Sequence, residues 1–136
     1  MENLVKENLI KFAQEMREWE IYCNKIEERD YSDKKINTLQ KSRLESIFSK
    51  YCTKKKRLQG RIENINYGCD GSFDYNPESY KFIEIVCQEG KGHVIVMDMI
   101  SETKYLFKYK IVKSQILFDS KMFFSSWRNK WLKYSL

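Results

Sequence analysis

Apolar residues recur every three or four positions through residues 1–52 and every second position through residues 58–124, so the chain changes period once. A period near 3.6 lines up side chains on one face of a helix, and a period of 2 lines them up on one face of a strand. The pattern predicts an α+β chain: N-terminal helices packed in the concave face of a curved antiparallel sheet. The expected divisions are a helical part at 1–57, a sheet at 58–124 and a tail at 125–136, all within a single domain.

In the first segment Val5, Leu9, Phe12, Met16, Trp19, Cys23 and Ile26 are spaced 4, 3, 4, 3, 4, 3, one apolar stripe along a helix. Glu7, Lys11, Glu15 and Lys25 fill the other face. The strict seven-residue repeat fits a coiled coil too, but Phe and Trp are poor seam residues, so the stripe is assigned to packing within the chain. Glu27 to Asp30 ends it in charge, and Ser32 or Asp33 is placed to cap a second helix. Ile36, Leu39 or Gln40, Leu44, Ile47, Phe48 and Tyr51 carry that helix, with a break expected near Thr38. Lys54 to Arg57 close it where the helix dipole favours positive charge.

Beyond Leu58 five strands are predicted: Arg61 to Tyr67, Tyr80 to Gln88, His93 to Ile100, Lys104 to Lys113 and Gln115 to Phe124. The last four are joined by short connections that fit hairpins in a meander. Tyr105, Phe107, Tyr109 and Ile111 alternate with Lys104, Lys108 and Lys110, so one face is aromatic and the other basic. Gly68 to Pro77 is a Gly-, Asp- and Asn-rich loop holding Phe73 and Tyr75. Trp127, Trp131 and Tyr134 follow at spacings that predict a terminal helical turn.

Composition narrows the function classes. The chain has 136 residues, 42% of them apolar and 15% aromatic, with one Pro and five Gly, enough to bury a core without disulfides or metals. The four cysteines lie far apart without a C-x-x-C pair, which predicts reduced thiols, mostly buried, and no zinc. No leader pattern or membrane-length apolar run is visible, so a soluble, cytoplasmic product without membrane contact is expected. The formal charge of +6 is uneven: residues 1–52 hold ten basic and ten acidic groups, residues 53–136 fifteen and nine. A basic sheet half suits an acidic partner.

Several stretches resemble a known family. Glu15-Met16-Arg17-Glu18-Trp19-Glu20, the run Ile47 to Arg57 containing Lys-Tyr-Cys-Thr-Lys-Lys-Lys-Arg, Asp74 to Glu78, and Lys108 to Lys113 ahead of Phe118-Asp119-Ser120-Lys121 carry the likeness. Together with the element order they are similar to bacterial immunity proteins with the cone-shaped nuclear-transport-factor-2-like fold. Gln115, Ile116 and Leu117 stand where such proteins place a Trp. The resemblance implies an immunity protein of a polymorphic toxin system that binds and neutralises a cognate protein toxin and does no chemistry. It also implies a homodimer through the sheet face as an option.

The candidate chemistry is sparse. His93 is the only histidine, which excludes a two-histidine metal site, and the expected catalytic, cofactor and metal residues are none. The cone fold also supports a small-ligand-binding or isomerase-like enzyme, for which Asp98 with Tyr105 and Tyr109 would supply an acid–base set. A nucleic-acid-binding accessory domain is the third reading. Alternation sends rings and charges of Tyr105 to Lys113 to opposite faces, which argues against it. The partner-binding candidates are Lys54, Lys55, Lys56, Arg57, Phe73, Tyr75, Lys108 and Lys110. Aromatics flanked by acids suit a protein interface.

Overall fold

The computed structural model describes residues 1–27, 33–55, 57, 61–62, 65–69 and 71–136. Helix α1 (Glu2–Glu27) buries the whole predicted stripe, together with Ala13 and Glu20. Glu2 in its first turn and Lys25 in its last complement the helix dipole. Helix α2 (Asp33–Tyr51) runs through Thr38 without the expected break, and Gln40, Leu44, Ile47 and Phe48 are its buried residues. The expected cap at Ser32 lies outside the described residues. Lys50 pairs with Glu15 at 2.7 Å and the Trp19 indole N–H donates to the Gln40 carbonyl at 2.9 Å, so the two helices run antiparallel.

The sheet is an antiparallel meander in the order β1 (Tyr80–Gln88), β2 (Lys91–Asp98), β3 (Thr103–Val112), β4 (Gln115–Ser125) and β5 (Lys130–Tyr134). The helices and sheet form an α+β architecture with the core between them. The β3 alternation holds: Tyr105, Phe107 and Tyr109 are buried and Lys104, Lys108 and Lys110 exposed. Gly90 takes a left-handed conformation (φ 81°) in the β1–β2 turn. Gly92 is needed for a different reason. A Cβ there would lie 1.9 Å from the Val86 carbonyl oxygen and 2.6 Å from the Tyr109 hydroxyl, which donates to that carbonyl at 2.8 Å.

Two further sequence expectations fail. The described residues of 61–67 form a turn and irregular chain, with no strand among them. Arg61 explains part of this. Its buried guanidinium donates to the Asn66 carbonyl at 2.9 Å, to Asp74 Oδ2 at 2.8 Å and to the Leu136 carbonyl, so a side chain organises the segment. The fifth strand is instead β5, where a helical turn is predicted. Asn129 reverses the chain at φ 52°, and Trp131 packs edge-on against Phe124 across the strands at 5.4 Å. The sheet therefore spans 80–134, and the segment assigned to a tail supplies its edge strand.

One inward position of β4 is charged. Lys121 is 1% exposed and its ammonium has no hydrogen-bond partner among the described residues. The rings of Tyr75, Tyr105 and Tyr134 surround it at 4.1, 4.3 and 5.1 Å. Loss of hydration, reinforced by the positive charge of Arg61, pushes its pKa down to about 7. All four cysteines are free; Cys23 and Cys52 are buried, whereas Cys69 and Cys87 are exposed. Burial pushes both buried thiols up to about 12, so neither is a nucleophile near neutral pH.

Below about pH 7 Lys121 is charged in the folded and unfolded chain alike, and the burial cost is borne in full. Between there and the ordinary lysine value of about 10.4 the folded chain sheds a proton that the unfolded chain keeps, so stability rises with pH. Lys121→Met is expected to melt higher at acidic pH and to flatten that rise. Melting temperatures from about pH 6 to about pH 9 measure it, and an unchanged pH dependence would show that Lys121 is not its source.

Candidate functional site

The basic residues predicted from two distant parts of the chain meet at one carboxylate. β3 and β4 pair in register as far as Lys108 with Ser120, then resume at Tyr109 with Phe118, which leaves Asp119 as an unmatched bulge residue. The end of α2 is bound to the same spot by a bridge between Cys52 and Phe118 and by a 2.9 Å hydrogen bond from the Thr53 N–H to the Phe118 carbonyl. Asp119 accepts from the Thr53 hydroxyl at 2.7 Å and from Lys55 at 2.9 Å, with Lys110 at 3.9 Å. These donors and charges outweigh desolvation and hold its carboxyl below the usual range.

Around this acid the surface is positive. Arg57 is half-buried, stacks over Phe48 at 5.6 Å and donates to the Thr53 hydroxyl at 3.0 Å. Lys54 and Lys108 are exposed, and Lys56 lies outside the described residues. Two open hollows flank Asp119. One, of about 380 Å³, is lined by Lys55, Arg57, Lys133 and Leu136 among others. The second, of about 510 Å³, lies over Lys91, His93, Lys108 and Lys110. Lys91 and Lys133 were not among the sequence candidates. Lys91 falls in a predicted connection and Lys133 in a predicted helical turn, and their places beside Asp119 depend on sheet pairing.

The loop aromatics separate. Phe73 is half-buried, while Tyr75 is fully buried and packs against Phe12 at 5.5 Å. Tyr75 is therefore corrected from a contact candidate to a core residue. The cause is Glu20, a buried carboxylate of α1 that accepts from the N–H groups of Gly68 (2.7 Å), Asp74 (3.0 Å) and Tyr75 (3.1 Å), drawing the loop inward. Burial pushes the Glu20 pKa up, with the Asp74 and Gly68 N–H groups pulling the other way. Asp70, the other loop acid considered, lies outside the described residues.

Asp98 has no room for acid–base work. It is buried at the end of β2 and accepts from Asn76 (3.1 Å), Ser79 (2.8 Å) and the N–H groups of Ile100 (2.9 Å) and Ser101 (3.3 Å). It caps a turn, and Tyr109 is committed to Val86. His93 sits on β2 beside Glu84 at 2.9 Å. No cluster of three or more His, Cys, Asp or Glu among the described residues is arranged to hold a metal ion. No helix among them is long and apolar enough to cross a membrane.

A family model described as "NTF2 fold immunity protein" matches residues 4–135. The chain is 28% identical over 132 residues to immunity protein RhsIA of Dickeya dadantii (strain 3937), covering 94% of this chain and 93% of that protein. No solved structure matches it significantly.

Two outcomes test this construction. Asp119 stabilises the fold above the unfolded carboxylate pKa of about 3.9, and that contribution is lost as pH falls through its lower folded value. Asp119→Asn should therefore lower the melting temperature at neutral pH and narrow the gap to wild type near pH 3. Glu20→Ala leaves three backbone N–H groups without their acceptor and should cost about 3 kcal/mol in chemical denaturation. A loss below about 1 kcal/mol would mean that water or a neighbour replaces the carboxylate.

Proposed function

The chain belongs to the NTF2-fold immunity protein family, whose role is toxin neutralisation without chemistry of its own, and from that premise we propose that it works by binding one cognate toxin directly. The observation that carries this reading is the convergence of Lys55, Arg57 and Lys110 on the bulge at Asp119, with Lys54 and Lys108 exposed close by in sequence. Five cations stand around one carboxylate, which pairs with Lys55 and Lys110, and the surface keeps excess positive charge. It complements a toxin with an acidic contact surface. Phe73 is a further contact from the loop.

The saturated hydrogen bonding of Asp98 and the ring-filled interior favour this over a ligand-binding or isomerase-like role. The burial of Tyr105, Phe107 and Tyr109 away from the lysines favours it over nucleic-acid binding. In this reading residues 1–136 act as one binding unit in the cytoplasm of a cell carrying a polymorphic toxin system. The chain covers the toxin's active site or its substrate path.

Co-expression with its cognate toxin domain, sought in the flanking genes, should rescue growth, and the purified pair should elute as one complex. Surface charge acts mainly on encounter. Lys108→Glu with Lys110→Glu should slow association about tenfold at low salt, and the gap should close as ionic strength rises. Stopped-flow association rates read this. Equal rates at low salt would remove the basic surface from the mechanism.

A further inference from the structure

The face of the sheet turned away from the helices carries its own pattern. Pairing places Ile95, Leu106 and Met122 side by side across β2, β3 and β4. In the next row Met97 lies beside Lys104. Phe124 is paired with Trp131 on the neighbouring strands and takes the Lys104 ammonium over its ring at 5.8 Å. All six apolar residues are half-buried, so an aliphatic and aromatic band remains open to solvent at the centre of the sheet.

Lysines surround the band. Lys81 pairs with Met97 on β1, Lys133 pairs with Met122 on β5, Lys108 lies opposite His93, and Lys91 lies opposite Lys110. The carboxylates on this face among the described residues are already engaged, Glu84 with His93 and Asp119 with Lys55 and Lys110. An apolar centre depleted of charge inside a polar rim is how protein interfaces are built.

The charge of the rim selects the occupant. A second copy related by a two-fold axis would set this lysine ring against an identical one, a like-charge juxtaposition that penalises self-pairing. A nucleic acid would need a run of exposed rings for stacking along its path, whereas the central row, Ile95, Leu106 and Met122, is aliphatic and Phe124 and Trp131 pack edge-on against each other at one end. We propose that this outer sheet face grips the toxin through an apolar prominence rimmed by Asp and Glu on the toxin. It rests on the reading that the chain binds its toxin directly, and adds that the apolar band, rather than the basic cluster alone, sets the lifetime of the complex. Buried central contacts govern dissociation, whereas rim charges govern encounter.

The test uses the full chain and a catalytically dead form of the cognate toxin domain sought in the flanking genes. Leu106→Glu puts a charge at the centre of the band, and Lys104→Glu with Lys133→Glu inverts two exposed rim positions without touching the core. Circular dichroism and melting confirm folding, and the rim variant decides the matter if Leu106→Glu fails to fold. Leu106→Glu is expected to raise the dissociation rate at least about a hundredfold with a small change in association, and the rim variant to slow association. Wild type that neither binds nor protects would sink the direct-binding reading and this proposal with it. Wild type that binds while both variants bind equally well would overturn the outer face alone. So would a wild-type dimer in sedimentation that Leu106→Glu dissolves, or capture of a single-stranded RNA probe by wild type that either variant abolishes.

Discussion

Both helices, the loop before β1 and strand β4 meet at the ring of Phe12. From the middle of α1 it contacts Phe48 at 6.2 Å and Tyr51 at 5.7 Å on α2, Tyr75 at 5.5 Å on the loop, and Phe118 at 5.6 Å on β4. Cores of this kind lose about 3–5 kcal/mol when such a ring is truncated, a large share of the stability of an ordinary domain. The consequence for function is geometric. A fold able to hold a small molecule between helix and sheet has that space occupied here by its own aromatics, which leaves the surface to meet a partner.

The polar groups inside this packing serve architecture. Glu20 gathers three loop N–H groups, Arg61 joins the loop to the Leu136 carbonyl, and Asp98 caps the turn after β2. Each buried charge has its cost offset by directed hydrogen bonds, except Lys121, which has only rings around it. The result is a loop with one aromatic in the core and one at its margin. A protein that neutralises by contact gains from such rigidity, because a surface that is already ordered loses little entropy on binding.

The two kinds of surface have different physical duties. Around the Asp119 bulge, positive charge acts at a distance and depends on salt. Across the outer sheet, the band of Ile95, Leu106 and Met122 acts only on contact. Both faces share Lys108 and Lys110, so in the proposed complex a single acidic partner would be drawn in by one and held by the other.

The helices, their buried stripe, four of the five strands and the aromatic-in, lysine-out character of β3 were legible in the sequence, because period and polarity are local properties of the chain. The family likeness was legible too, from short runs and their order. Three things were decided only by tertiary structure. Residues 61–67 read as a strand until the buried guanidinium of Arg61 found its acceptors, and Lys130–Tyr134 read as a helical turn until β4 offered an edge to pair with. Lys55 and Lys110 became neighbours only when a single extra residue, Asp119, bulged from β4. The break in alternation from Phe118 to Lys121, both of which point inward, was its one local trace. Periodicity tells a residue which way to face, but pairing partners and bulges depend on which distant hydrogen-bonding groups come within reach, and that information lies in the folded chain as a whole.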